Sequence, residues 1–297
     1  MGFRTVVVKN RAKLDYKLNY LVCRADKETR VFIPEISVLI VESTGVSITS
    51  ALLSELIKNK VKVIFCDEKH IPHSQLIGLY DNFHSSKNVL KQIEWENKAK
   101  QSVWQNIVYH KILNQSKVLF KYGFIEEVQM LLDYLSNITL NDSTNREGHA
   151  AKVYFNALFN NAGRRIPSFY NSALNYGYAI LLSAFCREIT ASGYITQLGI
   201  WHSNEFNHYN LASDLMESFR VIVDEMVLGL DDKCNFKIPM ANILNAKVRI
   251  CGKTMFLDNA IEVYTKGIFN ALETGDISSI KNFESYELPI YENDCDV

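Results

Sequence analysis

The chain lacks the short motifs that mark several large enzyme classes. It contains no G-x-x-x-x-G-K-[ST] loop, no G-x-G-x-x-G segment after a strand and no G-x-S-x-G elbow. These motifs cradle nucleotide phosphates, bind dinucleotides and expose a nucleophilic serine, respectively. Their absence argues against a P-loop nucleotide hydrolase, a dinucleotide-dependent dehydrogenase and a serine hydrolase.

Paired cysteines and long apolar runs are also missing. The six cysteines include no C-x-x-C pair and are scattered along the chain at Cys23, Cys66, Cys186, Cys234, Cys251 and Cys295. No apolar run reaches the roughly 18 to 20 residues that a membrane-spanning helix needs, and the N-terminus shows no signal-peptide pattern. We therefore expect free thiols, a cytoplasmic location and no membrane role.

The chain has no excess of charge of either sign. Its formal net charge of −1 argues against a simple basic nucleic-acid coat protein. Positive charge is nevertheless concentrated in the middle of the chain, at Lys87, Lys91, Lys98, Lys100, Lys111, Lys117 and Lys121. These lysines are interpreted either as the solvated face of helices or as DNA contacts.

Two domains are predicted from the 297 residues. Residues 1–80 alternate short β-rich runs with polar breaks, and a helix is expected at 47–58 before the last strand. The predicted strands are 5–8, 19–24, 30–33, 37–41 and 61–66. From Ser85 onward the apolar spacing is helical. The predicted fold class is α+β, with a small β-rich domain at 1–80 followed by a larger all-α catalytic domain at 81–297.

Four helices of the second domain are predicted from periodicity, at 150–159, 173–191, 211–228 and 259–272. The third is expected to begin after Asn210 as N-cap and to run without a break. Its acids Asp214, Glu217 and Asp224 are expected on the polar face, opposite the apolar stripe.

A histidine and several acids near this helix form a candidate metal site. His202 lies in a polar loop, and a folded-back loop can bring it to Asp214 and Glu217 in the first turns of the helix, with Glu147 contributed from upstream. Hard oxygen ligands with one imidazole suit Mg²⁺ or Mn²⁺ better than structural zinc. Such an ion supports transesterification or hydrolysis of a phosphodiester.

Each of these residues has a structural alternative. Glu147 follows Thr144 at capping-box spacing, His202 can be a structural histidine bonded to backbone, and His208 competes with it for the same assignment. Asp214 and Glu217 can simply cap a helix and pair with Arg220.

A group of basic, amide and aromatic residues is a candidate for DNA contacts, its alternative being a helix entrance and core aromatics. Its members are Arg146, Arg164, Arg165, Asn175, Tyr178 and Arg220.

Three ordered segments resemble a known family. They are Glu147-Gly148-His149-Ala150-Ala151-Lys152-Val153-Tyr154-Phe155, then Ala173-Leu174-Asn175-Tyr176-Gly177-Tyr178-Ala179, then His202 with Asp214-Leu215-Met216-Glu217. In this order they resemble the CRISPR-associated integrase that inserts new spacers, and the chain looks closest to the members from type II systems. Much of the wider family has aspartate where Glu217 stands.

The resemblance implies metal ligands Glu147, His202 and Glu217, with Asp214 as a supporting or alternate acid. It implies attack by the 3′ hydroxyl of a short double-stranded DNA fragment on a phosphodiester at the border of a CRISPR repeat. It also implies a homodimer formed through the β-rich domains, and two such dimers bridged by a dimer of a small ferredoxin-like partner, a four-to-two complex. The type II effector nuclease and an accessory DNA-end-binding protein are candidate further partners.

Two other functions remain open at this point. The same ligands can serve a nuclease or branched-DNA resolvase in DNA repair, in which water is the nucleophile. Alternatively, the chain is a non-catalytic DNA-binding scaffold whose lysines supply salt-dependent affinity.

Overall fold

The computed structural model describes residues 4–78, 84–159, 168–231 and 235–289. The chain divides into two compact units, Met1–Asp81 and Asn82–Val297. This division lies one residue beyond the boundary placed at residue 80 from the sequence. Within the described residues, no helix is both long enough and apolar enough to cross a membrane.

In its described residues, the first unit contains two four-stranded sheets and one α-helix. Its elements are β1 (Arg4–Val8), β2 (Lys13–Lys17), β3 (Tyr20–Arg24), β4 (Glu28–Phe32), β5 (Ile36–Val41), β6 (Ser47–Ile48), α1 (Ser50–Lys58), β7 (Lys62–Cys66) and β8 (Pro72–Leu76). One sheet has the order β1-β5-β7-β8 and the other β4-β3-β2-β6. Leu52 and Leu56 of α1 are fully buried, which contributes about 2 kcal/mol each.

Every strand predicted in this unit is present, but β2, β6 and β8 were not predicted. Strand β5 is easy to recognise because it lies between two parallel neighbours and is apolar at nearly every position. Strand β2 reads Lys-Leu-Asp-Tyr-Lys, so charged residues obscure its single fully buried side chain, Leu14.

The second unit is mostly helical. Its helices are α2 (Ser85–Glu94), α3 (Asn97–Lys121), α4 (Ile125–Ser136), α5 (Arg146–Leu158), α6 (Phe169–Ala191), α7 (Asn210–Leu215), α8 (Arg220–Leu228), α9 (Lys237–Ala241) and α10 (Leu257–Thr274). An antiparallel sheet of order β10-β9-β11 is formed by β9 (Lys247–Ile250), β10 (Lys253–Phe256) and β11 (Phe283–Glu287). The α+β class is confirmed, although the expectation of an all-α second domain omitted this sheet.

Helix α3 is the central helix of the second unit. It packs against α4, α5 and α10 and against the short 3₁₀ turn Glu217–Phe219. Val103, Trp104, Ile107, Val108 and Ile112 form its buried stripe. The helix therefore presents its middle turns to the segments that carry the predicted site.

The segment predicted as one helix at 211–228 is broken. Helix α7 ends at Leu215, the 3₁₀ turn Glu217–Phe219 follows, and α8 begins at Arg220. The predicted cap is also wrong, since Asn210 is the first helical residue and its side-chain amide donates to the carbonyls of Gln197 and Asn204 at 3.1 and 3.0 Å.

The acids of this segment do not form a polar face. Asp214, Glu217 and Asp224 are 0%, 6% and 1% exposed. The expectation of a solvent-facing acidic stripe is therefore wrong, because each carboxylate has buried partners that periodicity alone does not reveal.

Candidate active site

Asp214 holds the loop that carries His202. One carboxylate oxygen, Oδ2, accepts hydrogen bonds from the amides of Ile200 and Trp201 at 2.6 and 3.0 Å. The other, Oδ1, accepts from the amide of His202 at 3.1 Å and contacts the His202 ring nitrogen Nδ1 at 2.5 Å. A carboxylate in this position accepts, so Nδ1 carries the proton and Nε2 is left as the nitrogen free to bind or take a proton.

The loop can close around Asp214 because residue 199 is glycine. A Cβ atom at Gly199 would lie 2.3 Å from the carbonyl oxygen of His202 and 2.8 Å from Asp214 Oδ2. The first atom is backbone, and the second belongs to a fully buried carboxylate that hydrogen bonds hold in place. The close approach of backbone to carboxylate therefore requires glycine here.

The hydrogen bond to Asp214 defines the environment of His202. That bond raises the pKa of His202 above its ordinary value, although partial burial opposes the shift. Glu217 and Glu147 act in the same direction, which places all three predicted ligands within electrostatic range of one another. The His202 ring bonds the Asp214 carboxylate rather than a backbone group.

Lys111 joins the two glutamates of the predicted site. Its Nζ atom donates to Glu147 Oε1 and, at 2.6 Å, to Glu217 Oε2. The Lys111 and Glu217 side chains are each 8% exposed, whereas that of Glu147 is 29% exposed. Glu147 is thus the solvent-facing member of this cluster.

Glu217 is held by two cations. Its other oxygen, Oε1, accepts from Arg220 Nε at 2.9 Å. Burial alone would raise the pKa of Glu217, but Arg220 and Lys111 outweigh it and lower the pKa to about 2. Burial likewise opposes the charge on Lys111, and the two glutamates outweigh it, so the pKa of Lys111 is raised.

The capping-box interpretation of Glu147 is wrong. Helix α5 begins at Arg146, and the Asp142 carboxylate accepts from the amides of Arg146 and Glu147 at 2.8 and 2.9 Å. Asp142 therefore satisfies the amides that a capping box would assign to Thr144. The Glu147 side chain is directed to Lys111 instead.

A groove of about 630 Å³ opens beside His202. Lys100 and Trp201 line it, and Trp201 stacks on the buried Trp104 with ring planes 6° apart. His208 lies on the same groove and is exposed, but it does not contact Asp214. His202 is therefore the histidine that joins the acidic cluster.

The family model described as CRISPR associated protein Cas1 matches residues 5–242. The chain belongs to the Cas1 family. It is 34% identical over 240 residues to the CRISPR-associated endonuclease Cas1 of Neisseria meningitidis serogroup C (strain 8013), which covers 80% of this chain and 79% of the relative. The resemblance found in the sequence is thereby confirmed.

Solved structures share the fold at low sequence identity. A casposase bound to integration product superposes with a TM-score of 0.73 and 18% identity, covering 93% of this chain and 92% of that one. A chain of a Cas6-RT-Cas1–Cas2 complex gives a TM-score of 0.72 and 19% identity, and this chain spans 36% of its length. At these identities the similarity shows the Cas1 fold alone.

The described residues that were predicted to contact DNA in this Cas1 chain do not form one surface. Tyr178 is buried and its hydroxyl donates to Asp224, so the alternative of a core aromatic describes it. Arg220 is directed to Glu217 and lies over the Tyr178 ring, 4.7 Å from its centroid. Asn175 is exposed, whereas Arg146 is half-buried over the ring of Tyr134. Arg164 and Arg165 lie outside the described residues.

Lys111 is the residue of the site that sequence reasoning missed. It belongs to the lysines interpreted as a solvated face or as DNA contacts, yet it is 6% exposed. It follows Trp104 by seven residues and Ile107 by four, which places it on the buried stripe of α3. That spacing was the available signal.

Proposed function

We propose that this Cas1 chain is the DNA integrase of CRISPR spacer acquisition, and that it joins the 3′-hydroxyl ends of short DNA fragments to the CRISPR repeat. The observation that carries the proposal is the convergence of Glu147 and Glu217 on one buried cation, Lys111 Nζ, beside a histidine oriented by Asp214. Membership of the Cas1 family supports it. The casposase similarity supports the fold that such a reaction uses.

The donor set fits Mg²⁺ or Mn²⁺. Glu147 and Glu217 already direct carboxylate oxygens at a common positive charge, and His202 retains Nε2 as a ligand atom. Among the described residues, however, no three histidine, cysteine, aspartate or glutamate side chains are gathered closely enough to hold an ion as they stand. Lys111 lies between the two acids. Metal binding therefore requires a local rearrangement around this lysine.

A bound divalent ion would polarise the scissile phosphate and stabilise the negative charge that develops on it. Glu147, Glu217 and His202 would hold the ion. Asp214 keeps the proton on His202 Nδ1 and fixes the ring orientation, the usual role of a carboxylate behind a ligating histidine. Arg220 keeps Glu217 ionised. One phosphodiester replaces another in the reaction, so no high-energy cofactor is needed.

The proposed assembly is a homodimer formed through the β-rich domains, with two dimers bridged by a dimer of the small ferredoxin-like partner. The structural match to a chain of a Cas1–Cas2 complex supports a protein partner for this chain. Double-stranded DNA would be bound as spacer fragment and as repeat. The type II effector nuclease and a DNA-end-binding protein are proposed as accessory partners.

The proposal is tested by strand transfer in solution. The chain and its small partner are incubated with a duplex fragment, a supercoiled plasmid that carries leader and repeat, and Mg²⁺ or Mn²⁺. Joined product is expected only with a 3′ hydroxyl and a divalent ion, and it should be lost in His202→Ala. A fragment ending in a 3′ dideoxynucleotide is the matched control for the nucleophile.

The alternatives give different products. Cleavage of branched or linear DNA without joining would establish the nuclease or resolvase and overturn the integrase. Salt-dependent DNA binding with neither product, unchanged in His202→Ala, would establish a non-catalytic scaffold.

A further inference from the structure

Lys111 occupies the space that the two proposed ligand carboxylates share. Its Nζ atom bonds Glu147 from α5 and Glu217 from the 3₁₀ turn, while Lys111 itself comes from α3. Three separate segments thus meet at one ammonium group. Two carboxylates that bond the same ammonium group lie close enough to repel each other, and the buried cation between them offsets that repulsion.

The two glutamates differ in what else holds them. Glu217 has Arg220 as a second cationic partner and is almost completely buried. Among the described residues, Lys111 is the single side chain bonded to the carboxylate of Glu147. Glu147 is also the more exposed of the two. An ion that enters from solvent therefore meets Glu147 before Glu217, and Glu147 can turn toward it once Lys111 releases it.

An ammonium group has no lone pair, so Lys111 cannot itself be a ligand. A divalent ion and the ammonium would compete for the same oxygens and repel each other at short range. We infer that Lys111 is a positioning residue that acts as a built-in counter-cation. It holds Glu147 and Glu217 together before the divalent ion binds, and it must release Glu147 when the ion binds. This inference rests on the proposed function, because it concerns the same metal site.

If Lys111 is a counter-cation, its removal should strengthen metal binding, which is the reverse of the usual effect. Removal of a residue that contacts two ligands ordinarily weakens a metal site. Here removal of the charge should strengthen it, because the competing cation and its repulsion are both lost. Lys111→Met is the suitable change, since it retains most of the side-chain volume without the charge.

The test is calorimetric titration of the full chain with Mn²⁺, without DNA. Lys111→Met should bind Mn²⁺ about tenfold more tightly than the wild type, or more. Lys266→Met is the matched control, because Lys266 bonds Glu262 at 2.5 Å on an exposed face of α10 and is 65% exposed. Its Mn²⁺ affinity should stay within about twofold of the wild type.

A second readout is thermal unfolding. Without metal, Lys111→Met should unfold at a lower temperature than the wild type, because the buried Glu217 and the partly exposed Glu147 lose their shared partner. Saturating Mn²⁺ should then raise its unfolding temperature by more than it raises that of the wild type. If Lys111→Met does not fold, Lys111→Gln takes its place, since the amide keeps a hydrogen-bond donor for the glutamates without the charge.

The outcomes separate the inference from the proposed function. Mn²⁺ binding in the wild type that is lost in Glu147→Gln, with unchanged or weaker binding in the Lys111 variant, would overturn the inference and leave the metal site standing. Absence of Mn²⁺ binding in both the wild type and the Lys111 variant would overturn both. Tighter binding in the Lys111 variant, with the affinity of Lys266→Met unchanged, supports both.

Discussion

Helix α3 carries two lysines that each bond a buried glutamate, and the two lysines differ in solvent access. Lys111 lies in the middle of the helix, where its side chain is 8% exposed and bonds both Glu147 and Glu217. Lys121 is the last residue of the helix, and its side chain is 67% exposed and bonds Glu225.

Burial and the number of bonded carboxylates distinguish the lysine of the proposed site from the other. At Lys121 one exposed ammonium meets one carboxylate, whose other oxygen accepts from the Tyr286 hydroxyl at 2.5 Å. At Lys111 one buried ammonium meets two carboxylates, with a histidine nearby. The first arrangement ties the end of a helix to its neighbours. The second arrangement brings together two acids that are proposed to bind a divalent ion.

The largest difference between the two regions should appear in catalysis. Glu217→Gln removes a proposed ligand and should lower the rate of strand transfer by about a hundredfold or more. Glu225→Gln changes an equally buried acid of the Lys121 contact and should retain the wild-type rate per folded molecule. The measurement is initial rate of joining, normalised to folded protein by circular dichroism. Equal losses in both variants would remove the distinction between the two contacts.

The second largest difference should appear in stability. Lys111→Met leaves the buried Glu217 and the partly exposed Glu147 without their common partner and should lower the free energy of unfolding by about 3 kcal/mol without metal. Lys121→Met removes a contact from an exposed side chain and should cost about 0 to 1 kcal/mol. Urea unfolding of the metal-free proteins measures both. A larger loss for Lys121→Met would reverse the comparison.

The smallest effect should be the pH dependence of stability. The pKa of Glu217 is lowered to about 2 from an ordinary value of 4.5. Its contribution to stability is therefore fully present above about pH 4.5 and is lost as the pH falls toward 2. In Glu217→Gln this part of the acid dependence should disappear, as seen by denaturant unfolding of metal-free protein between pH 5 and pH 2. An unchanged acid dependence would mean that Glu217 is not held as an anion.

The sequence was sufficient for the proposed ligands but not for the group between them. Glu147, His202 and Glu217 stand in recognisable local segments, so their order along the chain could be read directly. Lys111 meets its partners across 36 and 106 residues of sequence. A contact of that kind depends on how α3 packs, and no local pattern specifies it.

The spacing of apolar residues also gave a wrong prediction for a buried segment. Apolar spacing continues through residues 211–228, although the helix breaks after Leu215. The break turns Glu217 toward Lys111. Strands β9 and β10 were missed because each has four residues and begins with a lysine.

The most direct test of the account is a crystal of the full chain soaked in Mn²⁺ and measured at the manganese absorption edge. The account predicts an anomalous peak for a manganese ion that is bonded to Glu147, Glu217 and His202 Nε2, with Lys111 Nζ no longer bonded to Glu147. A structure at saturating Mn²⁺ in which Lys111 still bonds both glutamates and no peak lies beside them would contradict it.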